Sequence, residues 1–111
     1  MGPIQHRHNF GAVSLSHISL YVNNFEQQIP EYTGQLRNLI SLVLRSNQFS
    51  SDITYSLVLA TELRELNLAN NLLTGKIPVS LGSLRELRSL DLSWNELVGP
   101  VPDSLDRKSV V

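Results

Sequence analysis

Apolar side chains recur along this 111-residue chain in one pattern that repeats every 24 residues from Leu15. Each copy follows L-x-x-L-x-L-x-x-N-x-L, in which every leucine position holds an apolar residue and the ninth position holds Asn. Self-similarity at a period of about 20 to 50 residues is typical of solenoids, in which each copy stacks on the next. The matching positions of the four copies are Leu15, Ile18, Leu20, Asn23 and Phe25; Leu39, Leu42, Leu44, Asn47 and Phe49; Leu63, Leu66, Leu68, Asn71 and Leu73; and Leu87, Leu90, Leu92, Asn95 and Leu97.

Two leucines separated by one residue predict a short strand in each copy, with alternate side chains facing inward. A single strand cannot bury its apolar face, so neighbouring copies must pair in a parallel sheet, where their leucines form continuous core columns. We therefore predict an α/β-type solenoid with the parallel sheet on its concave face and 3₁₀ or irregular segments on its convex face. The repeats span 15–38, 39–62, 63–86 and 87–105, after a degraded repeat or frayed segment at 1–14 and before a polar C-terminal tail at 106–111.

The asparagine of each copy stands where the chain leaves its strand and has to turn. Its amide group offers donors and an acceptor to backbone groups inside the coil, which need partners once they are away from water. We interpret these residues as a structural ladder and not as a row of binding groups. They are Asn23, Asn47, Asn71 and Asn95.

The second half of each copy carries a further signature. Residues 73–84 read LTGKIPVSLGSL, which resembles the plant-type leucine-rich repeat L-x-G-x-I-P-x-x-L-G-x-L. The fourth copy repeats this signature with Val101 in the Ile position, whereas the second has Ser51, Thr54 and Val58 in place of Gly, Pro and Gly. The chain thus resembles the ectodomain repeats of plant receptor-like proteins and receptor-like kinases.

This resemblance implies a protein- or peptide-binding module that senses a ligand at the cell surface, as part of a plasma-membrane receptor. It leaves two alternatives open: an inhibitor of a secreted wall-degrading enzyme, as polygalacturonase inhibitors of the same repeat class are, and a non-functional repeat fragment. Related ectodomains usually carry caps with paired cysteines, and this chain has no Cys. We therefore expect a truncated piece of a longer array, for which another leucine-rich-repeat chain is a further candidate partner.

Strand positions between the leucines are predicted to face outward on the concave side. Tyr, Trp and Arg are enriched at interface hot spots, and the chain has only one Trp. An exposed aromatic residue is also common without a function, so the hypothesis depends on several candidates sharing one face. The candidate ligand-binding residues are Tyr21, Arg45, Asn67, Asn70, Asp91 and Trp94.

Composition and motifs argue against other classes of protein. A net charge of −1 with scattered Lys and Arg does not favour a nucleic-acid or anionic-membrane partner, and no apolar run of about 18 residues predicts a membrane span. The first residues lack the apolar core of a secretory signal. No Cys nucleophile, H-E-x-x-H, P-loop or G-x-S-x-G motif is present, so we predict no catalytic residue and no enzyme. His6 and His8 have no further ligands nearby, so we predict no metal site and no cofactor.

Overall fold

The computed structural model describes residues 16–19, 37–53, 55–106 and 108–111, and the chain there forms an α/β-type solenoid. We call each copy of the repeat a rung, numbered 1 to 4 along the chain. Each of the four rungs supplies one strand to a common sheet, and rungs 2 to 4, whose return segments the structure describes, then return along the other side of the molecule. Since strand and return segment alternate, successive strands of the sheet run parallel. The predicted fold class is confirmed.

Seven short strands follow one another along the described residues. They are β1 (His17–Ser19), β2 (Ser41–Val43), β3 (Ser50–Ser51), β4 (Glu65–Asn67), β5 (Leu72–Leu73), β6 (Ser89–Asp91) and β7 (Ser109–Val110). The concave sheet has the order β1-β2-β4-β6-β7, and β3 pairs with β5 in a small second sheet. Ile18, Leu42, Leu66 and Leu90 lie opposite one another in register. These four side chains are all buried, so the fourth position of the repeat forms the predicted core column.

The convex side is built from 3₁₀ helices, as predicted. Pro78 and Pro102 precede the second and third of them in extended conformation, with φ of −63° and −60°. Proline suits this place because its ring fixes φ near these values and it has no backbone N–H to satisfy. Within the described residues the 3₁₀ helices are Tyr55–Leu59, Val79–Ser83 and Asp103–Leu105.

Two features of the convex half explain the small residues of the plant-type signature. Gly75 and Gly99 have φ of +82°, a conformation that glycine adopts without steric cost. The second rung makes the same turn with Ser51 at φ +66°, so the degraded copy keeps the geometry with a side chain that disfavours it. Gly82 instead provides space, because a Cβ there would overlap the side chain of Ser104 in the next rung.

The ladder asparagines bind backbone groups inside the coil. Asn71 is 5% exposed, and its Nδ2 donates to the carbonyl oxygens of Leu68 in its own rung at 3.0 Å and of Leu44 in the preceding rung at 3.1 Å. Its Oδ1 accepts the Phe49 amide at 3.1 Å. One side chain therefore joins two rungs at the point where the chain turns. Asn23, the first member of the predicted ladder, lies outside the described residues.

Residues 106–111, predicted as a polar C-terminal tail, include β7, which extends the concave sheet beyond rung 4. Ser109 lies opposite Ser89, so this step takes 20 residues where every earlier step takes 24. The return segment before β7 is therefore four residues shorter than in the earlier steps. This shorter segment takes the leucines out of the 24-residue pattern at the C-terminal end. Lys108 lies in this shortened segment, and its Nζ donates to the carbonyl oxygens of Leu84 in rung 3 at 2.9 Å and of Leu87 in rung 4 at 3.2 Å.

Candidate concave binding face

Outward-facing side chains of the concave sheet stack into columns, because the strands pair in register and lie about 4.8 Å apart. Each column has one member from each of rungs 2, 3 and 4. The four columns hold Ser41, Glu65 and Ser89; Val43, Asn67 and Asp91; Arg45, Ala69 and Ser93; and Ser46, Asn70 and Trp94. Five of the six predicted binding residues belong to these columns, and Tyr21 lies outside the described residues.

Three of the predicted residues are exposed, one on each rung, where the strands end. They are Arg45, Asn70 and Trp94. Asn70 makes a hydrogen bond to the preceding member of its column, because its Nδ2 donates to the hydroxyl of Ser46 at 3.3 Å. The exposed residues thus cross the sheet along its carboxyl-terminal edge, where a ligand could contact all of them.

Asn67 and Asp91 have a structural role besides any contact with a ligand. The Oδ1 atom of Asn67 accepts the backbone amide of Ala69 at 3.1 Å. Asp91 repeats this bond one rung later, because its Oδ1 accepts the amide of Ser93 at 3.1 Å and the Ser93 hydroxyl at 2.6 Å. Both side chains hold the end of their own strand in place. The second oxygen of Asp91 receives no hydrogen bond from any residue that the structure describes.

Glu65 is a candidate that the sequence reasoning did not include. It is exposed on the concave face, and its Oε1 accepts the hydroxyl of Ser41 at 2.7 Å. This bond places the carboxylate over β2 and β4. The signal that could have identified Glu65 was its position in an outward column whose other described members are His17 and three serines.

Trp94 combines exposure with an unfavourable backbone conformation. Its side chain is 83% exposed and its φ is +58°, close to the values of Ser46 and Asn70 in the same column. The turn before Asn47, Asn71 and Asn95 therefore imposes left-handed geometry, which Asn tolerates and a bulky side chain disfavours. Since the ring buries little surface within the described structure, Trp94 contributes little to folding and remains available for a partner.

An apolar groove of about 420 Å³ lies beside Trp94 at the C-terminal end of the coil. It continues the core columns, and its lining includes Leu92, Leu97, Val101 and Val110. A second depression, of about 240 Å³, lies among polar residues of the turns near Glu62 and Arg85. Neither contains a group of three His, Cys, Asp or Glu residues suited to hold a metal ion, as far as the described ranges extend.

Known proteins share both the repeat pattern and the stacked sheet of this chain. A sequence profile described as leucine rich repeat matches residues 37–97, which is more than half of the chain. The chain belongs to the leucine-rich-repeat family. No curated protein matches this leucine-rich-repeat chain significantly.

Several solved structures are similar to this leucine-rich-repeat chain. The BIR3–SERK2 complex from Arabidopsis thaliana matches with 30% identity and a TM-score of 0.82, covering 92% of this chain and 60% of that chain. The Arabidopsis receptor kinase HAESA, in complex with the peptide hormone IDA and the co-receptor SERK1, matches with 41% identity and a TM-score of 0.81, covering 87% and 16%. A plant ice-binding protein matches with 32% identity and a TM-score of 0.82, covering 89% and 33%. This chain thus spans less than two thirds of each.

These relatives show that the same repeat serves more than one function, so the fold alone does not decide what this leucine-rich-repeat chain binds. The side chains on its surface determine which ligand it binds. Among the residues that the structure describes, no helix is long and apolar enough to cross a membrane.

Proposed function

We propose that this chain is a ligand-binding leucine-rich-repeat module that recognises a peptide or protein segment on its concave face. By similarity to the HAESA complex with a peptide hormone, we place the module in the ligand-sensing ectodomain of a plant cell-surface receptor-like protein. The observation that carries the proposal is the concave sheet, whose outward side chains include exposed Arg45, Asn70 and Trp94 while the core is filled by the leucine columns.

The size of the concave sheet favours an extended peptide over a folded protein. Five strands at about 4.8 Å spacing span roughly 19 Å, and a width of about 20 Å gives a face of roughly 400 Å². A standard protein–protein interface needs about 800 Å² from each partner. An inhibitor of a wall-degrading enzyme would need the larger area, so the described face fits that alternative less well.

Selection from a random library of displayed 12-residue peptides tests the proposal. We expect the chain to enrich peptides that bind in solution with dissociation constants in the micromolar range, measured by fluorescence anisotropy with synthetic labelled peptides. Exposed aromatic and Arg side chains dominate such interfaces, so a variant with both Arg45→Ala and Trp94→Ala should lose at least about 10-fold in affinity.

The matched control is Lys76→Ala, which removes an exposed side chain on the opposite half of the rung. This variant should keep the affinity of the unaltered chain. The proposal fails if the library yields no binding peptide, or if the concave and control variants change the dissociation constant equally.

A further inference from the structure

Two carboxylates face outward from neighbouring strands of the concave sheet. Glu65 is on β4 and Asp91 on β6, one strand apart and two residues further along. With strands about 4.8 Å apart and a rise of about 3.3 Å per residue, the Cα atoms of such diagonal neighbours lie about 8 Å apart. Within the described residues, no salt bridge reaches either carboxylate, and Arg88 instead lies 3.8 Å from Glu86. Rungs 3 and 4 therefore present a pair of negative charges to the concave side.

The negative charge of Asp91 is not needed for its structural bond. Asn67 holds the equivalent turn one rung earlier with a neutral amide, through the same bond from Oδ1 to the backbone amide two residues later. The remaining oxygen of Asp91 has no donor among the described residues, and the same is true of the second oxygen of Glu65. The charge is thus available for an external cation.

Trp94 lies three residues after Asp91 on the same rung, with its ring exposed. Tryptophan is the most favourable aromatic partner for a cation placed over its ring, within about 6 Å of the ring centre. The turn fixes the backbone of Trp94 in the left-handed conformation, so little backbone freedom remains to be lost on binding. An ammonium or guanidinium group over this ring can at the same time approach the carboxylate of Asp91, whereas the carboxylate of Glu65 is directed towards Ser41 on β2.

We propose that the concave face binds a Lys or Arg side chain of its peptide ligand between the indole ring of Trp94 and the carboxylate of Asp91, with Glu65 adding negative charge on the neighbouring strand. This inference rests on the proposed peptide-binding function and specifies the chemistry of the ligand. Because Asp91 and Trp94 both belong to rung 4, the basic side chain of the ligand binds at that rung.

The peptides selected from the 12-residue library provide the test. We expect enrichment of Lys or Arg at one fixed position, and replacement of that residue by norleucine in a synthetic peptide should weaken binding at least about 10-fold. Asp91→Asn should weaken the basic peptide about 3- to 10-fold and leave the norleucine peptide unchanged, because the amide keeps the bond to Ser93 and removes only the charge. Trp94→Ala should weaken the basic peptide more than the norleucine peptide.

Asp103→Asn is the matched control, since it removes one exposed carboxylate from the convex side and should not change the affinity. Peptides that bind without a basic residue, or a basic peptide unaffected by Asp91→Asn, would overturn this inference while the peptide-binding function stands. If the library yields no binding peptide, the function and the inference fail together.

Discussion

Replacing Asn71 by Ala tests whether the ladder holds the rungs together. This side chain is 5% exposed and makes four hydrogen bonds, three as a donor to carbonyl oxygens at 3.0–3.2 Å and one as the acceptor of the Phe49 amide at 3.1 Å. Alanine removes all four. It also leaves the space of the amide group empty beneath the turn.

The four lost hydrogen bonds contribute unequally to the decrease in the free energy of unfolding. All three carbonyl oxygens keep another donor, because that of Leu44 also accepts from Asn47, that of Leu68 from Asn95, and that of Ala69 from the backbone amide of Ser46. The Phe49 amide loses the acceptor that the ladder gives it, and a buried donor that loses its acceptor costs about 1–3 kcal/mol. With the weakened carbonyl bonds and the cavity, we expect Asn71→Ala to lower the free energy of unfolding by about 3 kcal/mol.

Urea unfolding followed by far-UV circular dichroism measures this loss. Asn95→Ala removes the same kind of side chain at the half-buried end of the ladder, where water can replace the lost bonds, so it should cost roughly half as much. Asn70→Gly is the control, since Asn70 is exposed and glycine accepts its positive φ; its effect should stay within about 0.5 kcal/mol. If Asn71→Ala costs less than about 1 kcal/mol, or less than Asn95→Ala, the ladder does not hold the rungs together.

Three further substitutions test the convex turns and the C-terminal end, each by its effect on the urea midpoint. Ser51→Gly should stabilise the chain by about 0.5–1 kcal/mol, because it relieves a positive φ; a lower midpoint would contradict this. Gly82→Ala should cost about 2 kcal/mol through overlap with the side chain and backbone oxygen of Ser104. Adding Ser104→Gly should recover only part of the loss, because the backbone oxygen would still lie 2.7 Å from the new Cβ, whereas additive effects would mean that the two side chains do not touch. Lys108→Met keeps the aliphatic chain but loses two bonds to carbonyl oxygens, so it should cost about 1.5–3 kcal/mol and speed hydrogen exchange in β7; unchanged exchange would show that the ammonium group is dispensable.

The periodic part of this structure could be predicted from the sequence alone. Leu42, Leu66 and Leu90 recur at 24 residues and lie opposite one another in register, because in a solenoid each rung contacts mainly its neighbours. A contact that recurs in every rung needs the same type of residue at the same position of every rung. The 24-residue period therefore predicts the core columns, the strand pairing and the turn after each strand. The same logic separated the outward columns from the core and placed Asp91 and Trp94 among the candidate residues.

Only the tertiary structure decided the features that depart from the period. Strand β7 was not predicted, because the return segment before it is four residues shorter than the others. The hydrogen bonds from Lys108 to the carbonyl oxygens of Leu84 and Leu87 depend on proximity in three dimensions, which the sequence does not show. The positive φ of Trp94 follows from the turn geometry shared along its column, which the side chain itself does not favour. That only one carboxylate oxygen of Asp91 accepts hydrogen bonds within the described residues became apparent from the structure. The sequence pattern shows which residues recur, but the geometry of the fold determines which donor meets which acceptor.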